Sequence, residues 1–140
     1  MKQFVCLAAM IVLAAPAFAQ GDVANGEAQF GRQCVACHVV RDDAGDVLAG
    51  RAAKAGPNLY AIAGRAVGTV GDFRYGDSIV AAGAAGAVWD EVNFVAYVQD
   101  PTDWLRTTLE DRRARSKMGY KVRSEQEAMD IYAYLTSLAN

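Results

Sequence analysis

One five-residue motif, Cys34-Val35-Ala36-Cys37-His38, constrains this chain more than any other feature of its sequence. Two cysteines separated by two residues and followed at once by histidine form the attachment pattern of a c-type haem. At the end of a helix, the two thiols can reach the two vinyl groups of one haem, and the histidine can place its imidazole under the iron. The motif therefore predicts one covalently bound haem c, with thioether bonds from Cys34 and Cys37 and with His38 as an axial iron ligand.

Other interpretations of the cysteine pair fit the sequence less well. A disulfide between Cys34 and Cys37 is geometrically possible but would close a very small loop. A thioredoxin-type redox pair belongs in a βαβ setting, for which the sequence shows no pattern. A structural zinc site needs four nitrogen or sulfur ligands, and residues 20–140 offer two cysteines and one histidine.

The second axial ligand of the iron cannot be another histidine, because His38 is the only histidine in the chain. Methionine, lysine, a weaker group or no ligand remain open. Met129 lies inside a strongly patterned helix, where methionine usually packs. Met118 lies in the irregular segment Ser116-Lys117-Met118-Gly119-Tyr120, where its sulfur is free to turn inward. We predict Met118 as the sixth ligand, with core packing as the alternative role.

Residues 1–19 have the layout of a secretory signal peptide. Met1-Lys2 supply a positive start, Phe4 to Ala15 is an apolar run, and Ala17-Phe18-Ala19 is a small-x-small cleavage site. The run is shorter than the roughly 20 residues that span a bilayer, so an uncleaved anchor is the lesser alternative. Cleavage after Ala19 would remove Cys6 and leave residues 20–140 as a single exported domain that is not embedded in the membrane.

The charge of residues 20–140 argues against nucleic-acid binding. Their 13 basic and 16 acidic residues give a net charge of −3, whereas nucleic-acid-binding domains are normally basic.

Local sequence patterns predict an all-α fold with long loops and no strand. Helices are expected from Asp22, as N-cap, to Gln33, and from Asp90, as N-cap, to the residues before Pro101. The last helix follows a capping box that begins at Ser124. A further helix is expected over 102–113, and short helical pieces are expected over 59–63 and 78–82.

Taken in order, these segments resemble class I cytochrome c, and bacterial cytochrome c2 in particular. The resemblance implies three main helices, with short helices and loops wrapped around one haem. Gly56-Pro57-Asn58-Leu59-Tyr60 matches the family segment whose proline carbonyl accepts the Nδ1–H of the haem-binding histidine. The segment 94–101 resembles the helix whose tyrosine hydrogen-bonds the methionine sulfur, which implies that Tyr97 is the partner of Met118.

The same resemblance extends to the haem propionates and to a helix crossing. Phe73 to Asp77 and Trp89 are similar to the segments that hold a propionate, which implies Tyr75 and Trp89 as donors and Arg65 as a nearby charge. Core packing is the alternative role for these aromatic side chains. The residues that match the family's crossed-helix contact are Gly26, Phe30, Ile131 and Tyr134.

The family resemblance implies a soluble, monomeric, periplasmic one-electron carrier and not an enzyme. Its transient partners would be the cytochrome bc complex as donor and a photosynthetic reaction centre or a terminal cytochrome oxidase as acceptor, in photosynthesis or a respiratory chain. Histidine–methionine ligation suits this role, because a thioether ligand raises the reduction potential. The alternatives are an open-site haem protein, such as a peroxidase or gas sensor, and an electron-acceptor subunit of a periplasmic dehydrogenase.

A basic cluster near Met118 is a candidate docking surface for an acidic partner. The alternative is a solvated helix face that the i, i+4 pairs Arg106–Glu110 and Asp111–Arg115 partly neutralise. Two features depart from the family: the segment between Pro101 and Met118 is longer than the short mitochondrial pattern, and lysines are fewer. The predicted docking residues are Arg112, Arg113, Arg115, Lys117, Lys54 and Lys121.

Overall fold

The structure, a computed structural model, describes residues 20–140. The predicted signal peptide lies outside the described residues. No helix within 20–140 is long and apolar enough to cross a bilayer. In chain order the elements are α1 (Val23–Gln33), β1 (Val39–Arg41), β2 (Val47–Gly50), α2 (Asp77–Ala84), α3 (Glu91–Gln99), α4 (Pro101–Leu109) and α5 (Glu125–Ser137).

Side-chain caps begin the three helices that the sequence signals most strongly. Asp22 accepts a hydrogen bond from Asn25 N at 2.8 Å at the start of α1. Asp90 accepts from Asn93 N at 2.8 Å at the start of α3, and the Ser124 hydroxyl caps α5. These caps satisfy backbone N–H groups that have no partner within the helix, and they confirm the predicted helix starts.

Helix α4 follows α3 almost directly and ends earlier than predicted. Pro101 occupies its first turn, where a missing N–H costs nothing. Glu110 adopts a left-handed conformation, with φ of 52°, and closes the helix after Leu109. The expected extension to Arg113 is therefore wrong, and the remaining residues before Met118 form an irregular loop.

Helices α1 and α5 cross closely at Gly26. A Cβ atom at this position would lie 2.6 Å from the Asp130 carbonyl carbon and 2.8 Å from the Tyr134 Cβ. The Phe30 and Tyr134 rings are 5.8 Å apart, and Phe30 and Ile131 are each 1 % exposed. This confirms the predicted crossing, which brings the first and the last helix of the described residues together.

A buried carboxylate ties the two crossing helices together. Asp130 on α5 is 1 % exposed and accepts hydrogen bonds from Asp22 N at 2.8 Å, from the Gln126 side chain at 2.8 Å and from the Asn25 side chain. Burial alone would raise the pKa of the Asp130 carboxyl, but these hydrogen bonds lower it overall. Asp130 is therefore charged near neutral pH.

Two local expectations are wrong. The sequence predicted no strand, yet β1 and β2 form an antiparallel hairpin, closed by a turn in which Gly45 has a φ of 94°. Residues 59–63 form turns and no helix, because Leu59 N bonds to Val39 O at 3.0 Å and Ala61 has a φ of 50°. Helix α2 does contain the predicted piece 78–82.

Candidate haem site

The loops and helices of residues 20–140 enclose a cavity of about 420 Å³ with mainly apolar walls. This volume is within the range of small-molecule and cofactor sites. Its walls bring together residues from distant parts of the chain. The predicted site residues that line it are Cys34, Cys37, His38, Pro57, Arg65, Tyr75, Trp89, Tyr97 and Met118.

The two cysteines lie in a tight turn that continues α1. Cys34 N still bonds to Phe30 O at 2.9 Å, and His38 N then bonds to Cys34 O at 2.9 Å. Both thiols are free of disulfide bonds. Burial, with a smaller contribution from Cys37, raises the pKa of the Cys34 thiol to about 12. A reactive redox pair instead needs a lowered thiol pKa, so this site does not have the character of a thioredoxin motif.

The His38 imidazole is fixed by its hydrogen bond to Pro57 and by close packing. Its Nδ1 lies 2.9 Å from Pro57 O, so Nδ1–H donates and Nε2 is available as a metal ligand. A Cβ atom on Gly56 would lie 2.6 Å from Nδ1 and 2.7 Å from Nε2, so only glycine leaves room for the ring. Burial lowers the pKa of His38, although the Pro57 hydrogen bond opposes this. The neutral imidazole, which is the form that binds metals, is thereby favoured.

Met118 is half-buried in the loop after α4 and lines the cavity, whereas Met129 does not line it. The Ser116 hydroxyl accepts a hydrogen bond from Met118 N at 3.1 Å and is bonded to the Tyr97 hydroxyl at 3.0 Å. Thr102 Oγ1 accepts from Ser116 N at 3.3 Å. The loop that carries the sulfur is therefore held by side chains of α3 and α4, and the predicted Tyr97–sulfur bond stays a prediction.

Arg65, Tyr75 and Trp89, which the resemblance implies for a haem propionate, all line the cavity. Burial raises the pKa of the Tyr75 hydroxyl, and this rise is opposed by the Val70 N–H and by the positive charge of Arg65. Trp89 is 7 % exposed, and its ring lies 4.9 Å from that of Tyr97. Their roles toward a propionate stay predictions.

The six predicted docking residues are all exposed, but three of them are engaged in ion pairs or hydrogen bonds within the protein. Lys121 is paired with Asp100 at 2.5 Å, and Lys117 Nζ donates to Arg74 O at 2.8 Å. Arg113 lies 3.6 Å from Asp111. Arg115 and Lys117 also line the cavity. Docking stays a prediction for all six.

The expected i, i+4 charge pairs Arg106–Glu110 and Asp111–Arg115 are not among the salt bridges of residues 20–140. Because helix α4 ends at Leu109, Asp111 and Arg115 both lie outside it and do not share a helix face. Arg106 Nε instead donates to Ala114 O at 3.3 Å.

Sequence reasoning missed two contributors to the site. Gly56 appeared only as part of the proline segment, although its contact with His38 makes it sterically essential. Ser116 was not singled out, although it links Tyr97 to the Met118 backbone. The position of Gly56 immediately before Pro57 could have indicated its role, but no local pattern indicated the role of Ser116.

The residues present fit a haem. The cavity is apolar, His38 offers a neutral nitrogen beside a glycine that leaves space for its ring, and Met118 offers a soft sulfur in the same cavity. Cys34 and Cys37 lie next to that histidine in one turn. Together with the α1–α5 crossing, this arrangement defines a c-type cytochrome of class I.

Comparisons with known proteins identify the family more narrowly. The chain is 59 % identical over 118 residues to cytochrome c2 of Rhodovulum adriaticum, with 84 % of this chain and 93 % of that protein covered. It is 49 % identical to cytochrome c2 of Cereibacter sphaeroides, with 98 % and 96 % covered. A crystal structure of cytochrome c2 from Rhodobacter sphaeroides superposes with a TM-score of 0.83 at 47 % identity, with 86 % and 98 % covered. No family model matches the chain.

The chain belongs to the cytochrome c2 family. It is accordingly an electron carrier and not an enzyme, and it carries one covalently bound haem c.

Proposed function

We propose that residues 20–140 act in the periplasm as a one-electron carrier with histidine–methionine ligation. The donor would be a cytochrome bc complex, and the acceptor a photosynthetic reaction centre or a terminal oxidase. One observation carries the ligation: His38, held through Nδ1 by Pro57, and Met118 line the same apolar cavity. The similarity to cytochromes c2 supports the partners.

Each site residue has a proposed task. Cys34 and Cys37 hold the haem covalently, and His38 and Met118 bind its iron. The bound haem supplies a reversible one-electron change at iron. Tyr75 and Trp89 would donate to a propionate, with Arg65 for charge, while the apolar wall excludes water and so disfavours the extra positive charge of the ferric state.

The first experiment is an optical spectrum of the purified protein, oxidised and reduced, followed by addition of CO. We expect a weak far-red ferric band from iron–thioether charge transfer and no response of the reduced protein to CO. Met118→Ala should lose the band and bind CO. Met129→Ala is the matched control, because Met129 does not line the cavity. It should keep the far-red band and should not respond to CO. A wild-type protein that lacks the band and binds CO would favour an open-site haem protein instead.

The proposed partners are tested by rates of electron transfer with isolated bc complex, reaction centres and oxidase. Arg115→Glu changes an exposed charge beside the cavity, whereas Arg51→Glu makes the same change at an exposed position that does not line it. We expect Arg115→Glu to slow the second-order reaction several-fold at low salt and less at high salt, because screening removes the steering. Equal effects of the two variants would contradict docking at this face.

The proposed location has a direct test. N-terminal sequencing of protein released from the periplasm should begin at Gln20. Recovery of the protein only with intact Met1 in membranes would contradict cleavage and export.

A further inference from the structure

The segment that supplies the hydrogen-bond acceptor for His38 is attached to the hairpin strand β1. Gly56 N donates to Cys37 O at 2.8 Å, and Leu59 N donates to Val39 O at 3.0 Å. Residues 56–59 therefore run beside 37–39, which explains why Pro57 reaches the imidazole.

Two residues further along β1, at Arg41, a side chain continues this pairing. The Asn58 Oδ1 atom accepts a hydrogen bond from Arg41 N at 2.9 Å, and its Nδ2 donates to Arg41 O at 2.7 Å. Oδ1 also accepts from Tyr60 N at 3.1 Å. The Asn58 amide thus pairs with both backbone groups of Arg41, as another strand would, and with its own turn at the same time.

Asn58 directly follows Pro57, so its hydrogen bonds also affect the Pro57 carbonyl that faces His38. The carbonyl that accepts from His38 belongs to the peptide group between Pro57 and Asn58. Peptide groups are planar, and the proline ring restricts φ on one side of this group. The three side-chain hydrogen bonds of Asn58 anchor the other side, so the direction of the Pro57 carbonyl is determined from both ends.

We propose that Asn58 is a positioning residue that tunes the haem potential by fixing the direction of the Pro57 carbonyl toward His38. A strong hydrogen bond at Nδ1 makes an axial histidine more basic, and a more basic ligand stabilises ferric iron. Loosening the carbonyl should therefore weaken the donor character of His38 and raise the reduction potential. This inference rests on the proposed ligation by His38.

The test compares Asn58→Ala with Asn25→Ala in the haem-loaded protein. Asn25 makes a side-chain hydrogen bond to Asp130 at the α1–α5 crossing, so its loss destabilises the fold without touching the Pro57 segment. For each variant, the measurements are the reduction potential, the solvent exchange rate of the His38 Nδ1 proton by NMR, and the free energy of unfolding.

For Asn58→Ala we expect a higher reduction potential and faster exchange of the Nδ1 proton, while Asn25→Ala changes only the free energy of unfolding. If Asn58→Ala does not fold, Asn58→Ser serves in its place, because it removes the amide that pairs with both backbone groups of Arg41 and adds no charge near the haem site. It should shift both quantities in the same direction.

Unchanged potential and exchange in the Asn58 variant, or equal shifts in the Asn25 control, would overturn the inference. Failure of the proposed His38 ligation is distinguishable, because the His38 ring protons of the wild-type ferric protein would then lack the large NMR shifts that a paramagnetic iron gives to the protons of its ligands, before any variant is made.

Discussion

The α1–α5 crossing allows a sharp prediction, since helix α1 contains two glycines in opposite surroundings. Gly26 faces the α5 backbone, and a Cβ there would lie 2.6 Å from the Asp130 carbonyl carbon. Gly31 on the same helix is exposed, and a Cβ there would meet nothing within 4 Å. The variants Gly26→Ala and Gly31→Ala have the same composition and the same gain in helix propensity, so they differ only in the packing that each creates.

The expected magnitude follows from the distances. Carbon atoms pack best at roughly 3.5–4.0 Å, so the helices must separate by about 1 Å at Gly26, which forfeits up to about half of the dispersion energy across the contact. Overpacking of this kind costs roughly 1–3 kcal/mol, and the upper end applies because the obstacle is backbone. Replacing glycine by alanine in a helix returns about 1 kcal/mol. Gly26→Ala should therefore lose about 2 kcal/mol, while Gly31→Ala should gain up to about 1 kcal/mol.

The assay is denaturant unfolding of the haem-loaded ferric protein, followed by far-ultraviolet circular dichroism. The two variants should differ by about 3 kcal/mol in free energy of unfolding, or on the order of 10 °C in Tm for a domain of this size. Gly26→Ala as stable as Gly31→Ala would refute the reasoning, because it would mean that the helices can separate without loss.

Two further predictions concern Asp130 and Tyr97. Because the folded pKa of Asp130 is lowered, its charged form contributes stability above the unfolded pKa of about 3.9, and this contribution is lost as the pH falls through the folded value. The difference in unfolding free energy between wild type and Asp130→Asn should therefore be constant above about pH 5 and shrink in more acidic solution; a gap that persists unchanged to pH 2 would contradict it. Tyr97→Phe removes the hydroxyl bonded to Ser116, which helps to hold the Met118 loop, so CO should compete more readily for the Met118 position in the reduced protein. Tyr132→Phe is the control. It removes a hydroxyl that bonds to Trp89 O at 3.0 Å, and it should respond to CO as the wild type does.

Local sequence patterns correctly predicted the parts of the structure that depend only on residues close together in the chain. The caps Asp22, Asp90 and Ser124 predicted helix starts, because capping needs only a side chain and the backbone two or three residues later. The crossing at Gly26 and the proline segment came instead from family resemblance, since both depend on contacts distant in sequence.

Tertiary structure decided what local patterns could not. The strands β1 and β2 are too short to show alternation, and β1 is held on its other side by Asn58 and Leu59 from a distant loop. Ala61 takes a left-handed conformation that apolar periodicity does not reveal.

The same division holds at the haem site. The sequence by itself determined which atoms are available to a haem: two closely spaced thiols, one imidazole and two methionine sulfurs within residues 20–140. Local sequence favoured Met118 over Met129 as the ligand, and the fold places Met118 in the cavity with His38 and leaves Met129 outside its walls. Only the fold showed that Ser116 and Asn58 hold the two sides of the site. The physical reason is that a ligand's chemistry belongs to its residue type, whereas its direction is set by hydrogen bonds from segments far away in the chain.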